Sequence, residues 1–314
     1  MCVSAKYLVI PHLHIQNANA ASSPYTVGFP AMTAWLGMIH ALQRRLQKNE
    51  VLRKISLPRM GISCHACDMQ IFSDRDNYYG YLIGTANPLK KSKKTGEFER
   101  PPFVEEARCH LEISLLVEVA GFAGDIEENF LQAVCQELPR LKAAGGDIIL
   151  QVGECEQWQV ITVRDDDEQA ERRIKRLLMP GYVLKERQDL MKPVADKDAL
   201  DNLLEALQVE YNADRGDDGK VTGWQRKKVL ADGWLVPIAV GFRDLSGKIK
   251  VEGQRSYDYE HYFVELLVTI GEFLMPYRLE SLREMLWEYV YEAEDGLYLC
   301  HNVGRDGSEM EEED

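Results

Sequence analysis

Between Gln16 and Pro30 the chain concentrates uncharged hydrogen-bonding side chains, with Asn17, Asn19, Ser22 and Ser23 in a single loop. Amides and hydroxyls at this density can read base edges or the 2′-hydroxyl of an RNA strand. Gly28 and Pro30 then open a helix, whose first backbone N–H groups can seat a phosphate. Phe29 and His40 are counted with the same RNA-binding set. Arg44 and Arg45, followed by Lys48, Arg53, Lys54 and Arg59, supply cations for phosphates along one edge. A second basic group, Lys90, Lys91, Lys93 and Lys94, is flanked by Tyr78, Tyr79, Tyr81 and Phe98. Aromatic rings beside cations suit stacking on splayed bases and tracking of a single strand. A third group, Arg172, Arg173, Lys175 and Arg176, precedes Pro180-Gly181, and from it Arg173 and Arg176 are taken as RNA contacts.

Histidine could add metal-free acid–base cleavage of RNA, and His12, His14, His40, His65 and His110 all fall in the first part of the chain. No Ser, Tyr or Lys partner stands at a fixed spacing from any of them, so no catalytic residue is assigned. Cys64-His65-Ala66-Cys67 raises the question of a metal. On a regular strand those two thiols point to opposite faces, and no second CxxC or HxxxH follows. Buried core thiols are the expectation. The chain carries no P-loop, GxGxxG, GxSxG or HExxH, so no cofactor is expected. The acidic run Asp165-Asp166-Asp167-Glu168 points in several directions and is read as decorating a helix start.

The elements that position these residues follow from apolar spacing. Lys6 to Ile15 reads as a strand, Arg59 to Phe72 as a second and Glu105 to Val119 as a third, with Cys109, Leu111, Ile113, Leu115 and Val117 on one face. In the first helix Trp35, Met38, Ile39, Leu42 and Leu46 form the buried stripe. Helical patterns also cover Asp125 to Ala143, Asp165 to Leu178 and Asp196 to Val209. Asn212 to Gly223 reads as a mobile Asp/Gly-rich loop. Apolar spacing from Tyr259 to Val290 predicts a helical hairpin, for protein contacts or core cover. Strand–helix–strand taken twice is the ferredoxin-like order shared by RRM modules, although periodicity alone does not select it. The aromatic RNP1 pattern is absent, so bases are not expected to stack on the sheet in the RRM manner.

A net charge of −14 argues against a general, salt-driven nucleic-acid binder. Residues 1–100 nevertheless hold thirteen Lys/Arg against six Asp/Glu, net +7, which leaves −21 for the remainder. Such asymmetry suits a basic surface early in the chain and either repelling or merely solubilising acidic surfaces later. At 314 residues the chain can bury a core without disulfides or metal. No apolar run reaches a membrane span, and no signal peptide is visible at the N-terminus. Seven scattered cysteines fit a reducing compartment better than a disulfide framework, hence a cytoplasmic protein.

The word order of the loop is more specific than its composition. Ile15-Gln16-Asn17-Ala18-Asn19-Ala20, Ser22-Ser23-Pro24, Gly28-Phe29-Pro30 and His40-Ala41-Leu42-Gln43-Arg44-Arg45 resemble the N-terminal signature of one family. That family is the crRNA 5′-handle-binding subunit of the type I-F CRISPR surveillance (Csy) complex, in the RAMP superfamily. GISCH from Gly61, EEARCHLEISLLVEV from Glu105, RLLMPGYVL from Arg176, GWLVPIAVGF from Gly233, GEFLMPYRL from Gly271 and GLYLC from Gly296 continue it in order. The resemblance implies an α+β fold, a RAMP/ferredoxin-like (RRM-like) sheet core with a thumb-like insertion and additional helices. In this chain that places the core at 1–190, the thumb near 72–104, a mainly helical second half at 191–308 and an acidic tail at 309–314. It further implies a non-catalytic subunit that binds the crRNA 5′ handle and pairs with the large subunit and the backbone subunit at the 5′ end. The assembled complex would meet target DNA near the PAM. A metal-independent RAMP endoribonuclease and a protein-only scaffold remain as alternatives.

Overall fold

A computed structural model of the chain describes residues 4–74, 80–83, 89–100, 106–122, 126–164, 167–192, 197–216, 219–254, 256, 258–259 and 261–303. Tyr78, Tyr79, Asp165, Asp166 and the tail 309–314 lie outside the described residues. In the first half the elements run β1 (Ser4–Asn19), α1 (Met32–Leu46), β2 (Met60–Met69), β3 (Arg108–Val119) and α2 (Glu127–Glu137). Two shorter strands follow, β4 (Gly146–Ile149) and β5 (Gln159–Arg164), and both pair with β1 on the side away from β3. In space the order is β4 and β5, then β1, β3 and β2, with every pairing antiparallel. The class is therefore α+β, as expected.

α1 and α2 cover one face of this sheet. Trp35, Met38, Ile39, Leu42 and Leu46 are all buried there, against Leu8, Ile10, Leu13 and Ile15 of β1 and Ile113 and Leu115 of β3. The other face is covered at one end by α3 (Glu168–Leu177), whose Ile174 packs with Tyr7, Val9 and Leu116. With both faces buried, Tyr7 to Ile10 reads as an unbroken apolar run rather than an alternation.

β1 keeps its apolar residues on the α1 face only because it is bulged twice. Its register against β3 shifts between Ile10 and Leu13 and again between Ile15 and Ala18, each time by one extra residue. His12 and Asn17 sit in these steps with left-handed φ of 53° and 56°. β2 is bulged at His65, between Cys64 opposite Ile113 and Ala66 opposite Glu112. That bulge changes the expected cysteine geometry. Cys64 and Cys67 face the same side, opposite Ile113 and Leu111. Among the described residues no group of three His, Cys, Asp or Glu is arranged to hold a metal.

The second half departs most from expectation. It holds β6 (Tyr182–Glu186), α4 (Ala199–Leu207), β7 (Val209–Arg215), β8 (Val221–Lys228), β9 (Trp234–Asp244), β10 (Val264–Leu274), β11 (Trp287–Glu292) and β12 (Leu297–Asn302). It is therefore mainly strand rather than mainly helical. The hairpin expected as helical at 259–290 consists of β10, two 3-10 turns and β11. β10 packs between β6 and β9, and its β-branched residues and the cramped Gly271 suit a strand. A Cβ on Gly271 would lie 2.8 Å from Leu184 Cδ1 and 2.9 Å from Ile238 Cγ1. The loop expected at 212–223 is the end of the β7–β8 hairpin. β2, β6, β10, β9, β12 and β11 pair in succession, and β11 returns to β2 where Trp287 faces Met60. Trp287 fills the space this encloses and donates its indole N–H to the Leu184 carbonyl at 3.0 Å. The thiols are not all free either, since Cys135 of α2 is bonded to Cys155 in the turn before β5. No helix among the described residues is long and apolar enough to cross a membrane.

Candidate nucleic-acid interface

The face of β3 turned away from α1 carries a polar stripe, Arg108, His110, Glu112 and Ser114, at the two-residue period of a strand. The three bulges aim side chains at it. Asn17 is bound at the outer end, where Gln70 Nε2 donates to Asn17 Oδ1 at 2.7 Å and Arg108 Nη1 donates to the Asn17 carbonyl at 3.2 Å. The Asn17 N–H points at His110 Nδ1, 3.4 Å away, and Gln70 Nε2 lies 3.3 Å from His110 Nε2. Asn17, Gln70, His110 and Arg108 thus make an exposed hydrogen-bonding cluster held from three strand ends. Asparagine tolerates the left-handed conformation better than other residues with a side chain, which suits it to this corner.

Further along the stripe, His12 Nδ1 lies 2.7 Å from Glu112 Oε1. Ser114 Oγ accepts from the His12 backbone N–H at 3.0 Å and lies 2.7 Å from His65 Nε2. The rings of His12 and His65 stack at 4.2 Å. Burial pushes the His65 imidazole down to about 4, and the neighbouring His12 adds to this. The hydrogen bond from His12 holds the Glu112 carboxyl below its usual range, against the cost of its partial burial. The turn Pro180-Gly181 closes over this group. A Cβ on Gly181 would lie 2.3 Å from Ser63 Oγ and 2.9 Å from the His65 ring, so the approach requires glycine.

Of the loop residues expected to bind RNA, only some are available. Asn19 is exposed, but its amide closes a local turn, bonding the Ala21 N–H at 3.1 Å and the Ala21 carbonyl at 3.2 Å. Ser22 Oγ donates to the Phe29 carbonyl at 3.0 Å. Ser23 is buried, 2.7 Å from Thr26 Oγ1, so it shapes the loop rather than facing a ligand. Phe29 is a correction. It is 8% exposed, stacked on Trp35 and edge-on to Phe273, and it belongs to the core. Beside the loop, a slot of about 490 Å³ follows the first turns of α1, lined by Asn19, Ser22, Thr33, Gly37, Lys142 and Gly145 among others. Ala31 at the start of α1 offers no side-chain cap, and within the first turn the Ala34 N–H is taken by the Ala31 carbonyl at 3.0 Å.

Other expected contacts are scattered. Arg44 and Arg45 end α1. A helix rises about 1.5 Å per residue, so they lie roughly 18 Å along its axis from Met32. Arg45 is held by Glu137 at 3.2 Å, while Arg44 is exposed. His40 is exposed and stacks on Tyr289. Lys90 and Lys91 pair with Glu99 and Phe98 in a two-residue ladder, Lys93 and Lys94 form its turn, and all four lysines are exposed. This excursion is rooted at the Asn17 cluster, because the Gln70 N–H donates to the Arg108 carbonyl and the Ile83 N–H to the Gln70 carbonyl. Arg173 and Arg176 lie elsewhere, on α3, where Arg173 donates to Gln159. The sequence singled out His110 only among possible acid–base histidines, and Gln70, Arg108, Glu112 and Ser114 not at all. Arg108, His110, Glu112 and Ser114 are the period-two complement of the apolar face of β3, which was the signal available.

The sequence pattern of the family described as CRISPR-associated protein (Cas_Csy2) matches residues 8–300. The chain is also similar to CRISPR-associated protein Csy2 of Pseudomonas aeruginosa (strain UCBPP-PA14), with 32% identity over 315 residues, covering 93% of each chain. The match spans both the bulged sheet and the strands of the second half, and the chain belongs to the Cas_Csy2 family of CRISPR-associated proteins.

Proposed function

We propose that the chain is a non-catalytic subunit of a type I-F CRISPR surveillance complex, acting in the cytoplasm to bind the 5′ handle of the crRNA. The observation that carries this reading is the Asn17 cluster. Exposed Asn17 and His110 and half-buried Gln70 and Arg108, between them offering donors and acceptors, converge at the end of β1, at the root of a lysine-bearing excursion. Donors and acceptors in fixed positions discriminate bases, whereas lysines add strength without selection. The strand order of the first half supports assigning it to a ferredoxin-like RAMP core, and the excursion at 72–104 to its thumb. On this reading the partners are the large subunit and the backbone subunit at the 5′ end. Target DNA near the PAM is met by the assembled complex, which reads sequence by guide pairing.

The test is to co-express the tagged chain with its neighbouring genes and sequence the RNA it retains. Enrichment of guide RNAs with a common repeat-derived 5′ end, reduced when Asn17 and Gln70 are changed, supports the reading. Recovery of protein partners without that RNA leaves the protein-only scaffold. One observation favours a second reading, a metal-independent endoribonuclease. The His12–Glu112 contact, with the His65 ring stacked on His12, has the composition of an acid–base pair. Incubating repeat RNA with the wild-type chain and with His12→Ala decides it, and intact RNA in both removes it.

A further inference from the structure

A cleft of about 920 Å³ runs beside α3 and plays no part in the loop-centred reading. One wall is made by Val160, Ile161 and Thr162, three consecutive residues of β5. Side chains on a strand alternate faces, so three neighbours border one cavity only where that cavity follows the strand's edge. β5 pairs with β1 on one side, and among the described residues no strand covers the other. The facing wall is α3, presenting Arg172, Arg173 and Arg176. Arg172 and Glu168 are both largely solvent-exposed, so their 2.6 Å ion pair competes weakly with a ligand. Arg176 is exposed and makes no ion pair among the described residues. Asp167 also lines the cleft, but its carboxylate accepts the Ala170 N–H at 3.0 Å and is spent on capping α3. A second cleft of about 530 Å³ shares Arg176 and Leu177 with the first and opens on His12, Glu156, Gln157 and Gln159. The two meet at Arg176, forming one groove from the His12 bulge to the free edge of β5.

We propose that this groove is a track for the phosphodiester backbone of a single nucleic-acid strand, separate from the Asn17 cluster. Its lining is rich in donors, and guanidinium forks match phosphate oxygens in pairs. Arg172 and Arg176 stand one helical turn apart on the same side of α3, a spacing that lets each meet a different phosphate of one strand. A peptide strand added to the edge of β5 would instead call for apolar pockets at alternate positions, and the wall opposite is guanidinium. The inference stands on the groove's own residues and does not depend on which handle, if any, the loop reads.

The test uses the full-length chain and short labelled RNA and DNA single strands with no repeat sequence, followed by anisotropy between about 50 and 200 mM salt. The double variant R172Q/R176Q is expected to weaken binding of these strands at least tenfold. It should also flatten the salt slope by about 1.4, at roughly 0.7 per lost phosphate contact. Thr162→Glu, which sets a carboxylate on the exposed edge, is expected to weaken binding as well, and serves if the arginine variants fail to fold. R172Q/R176Q should at the same time keep its preference for RNA carrying the repeat-derived 5′ end over the same bases scrambled, which separates failure here from failure of the handle reading. Equal loss on RNA and DNA supports a backbone track, and loss on RNA alone supports one that also contacts the 2′-hydroxyl. Folded variants with unchanged affinity and slope overturn the proposal. So does Arg176-dependent binding of a glutamate-rich peptide when single strands are not bound.

Discussion

Replacing Asn17 separates a backbone role from a recognition role, because the residue does both jobs at a measurable cost. Its φ of 56° lies in the left-handed region, where an alanine costs about 1 kcal/mol and a glycine almost nothing. Its side-chain oxygen also holds the Gln70 amide at 2.7 Å in an exposed setting, a bond contributing roughly 0.5–1 kcal/mol to stability. Asn17→Ala should therefore lower stability by about 1.5–2 kcal/mol, and Asn17→Gly by less than about 1 kcal/mol. If the amide reads a base edge, both variants also lose roughly 1–3 kcal/mol of discrimination, about 5- to 150-fold in relative affinity. The assay is a pair of titrations for each variant, one against RNA carrying the repeat-derived 5′ end and one against the same bases scrambled. Chemical denaturation of the same samples follows stability. The expected pattern is a near-native stability for Asn17→Gly with its preference for handle RNA gone. A glycine variant that keeps the full preference refutes the argument, because it retains the bulge and lacks only the amide.

Phe29→Ala tests its place in the core: with its ring packed between Trp35 and Phe273, removal should cost about 3–5 kcal/mol of stability, read by denaturation. Loss of RNA binding at undiminished stability would restore it to the interface. Gly181→Ala forces a methyl against Ser63 Oγ and the His65 ring and should cost about 1–3 kcal/mol, with the His65 imidazole resonances displaced in the NMR spectrum. Native resonances and stability would mean that the turn does not close on His65. Acid should destabilise the fold before ordinary carboxylates titrate, because His65 takes up a proton at 6.5 when unfolded and only at about 4 when folded. The unfolded chain then binds more protons throughout that window, so stability falls as pH drops from 6.5 toward 4. Solvent screening of the half-exposed ring reduces the effect to about 1 kcal/mol. Lowered Glu112 extends the loss below its normal range, and His65→Gln should flatten the upper part of the curve.

Much of the first half was legible because local pattern and tertiary role agree there. The α1 stripe from Trp35 to Leu46 is buried as its spacing requires, and β3 alternates as its residues do. What decides the site is non-local. The bulges at His12, Asn17 and His65 exist only relative to β3, and the contact between His12 and Ser114 joins residues 102 positions apart. No window along β1 shows that an extra residue must be accommodated. Phe29 was misassigned for a related reason, since Phe273 arrives from β10, an element itself read as helix. β10 pairs on both edges, and Thr269, Ile270 and Gly271 are buried in succession, so no two-residue alternation marks it as a strand. The loop's word order pointed to the right neighbourhood, but composition could not tell which amides would be spent on local turns.

The central claim is that the end of β1 holds the 5′ handle. It is met most directly by ultraviolet cross-linking of the assembled complex, followed by mass spectrometry of the peptides bonded to RNA. The account predicts that the first nucleotides of the guide attach to peptides containing Asn17, Gln70 or His110. Cross-links from those nucleotides that fall only on other subunits, or only on the second half of this chain, would contradict it.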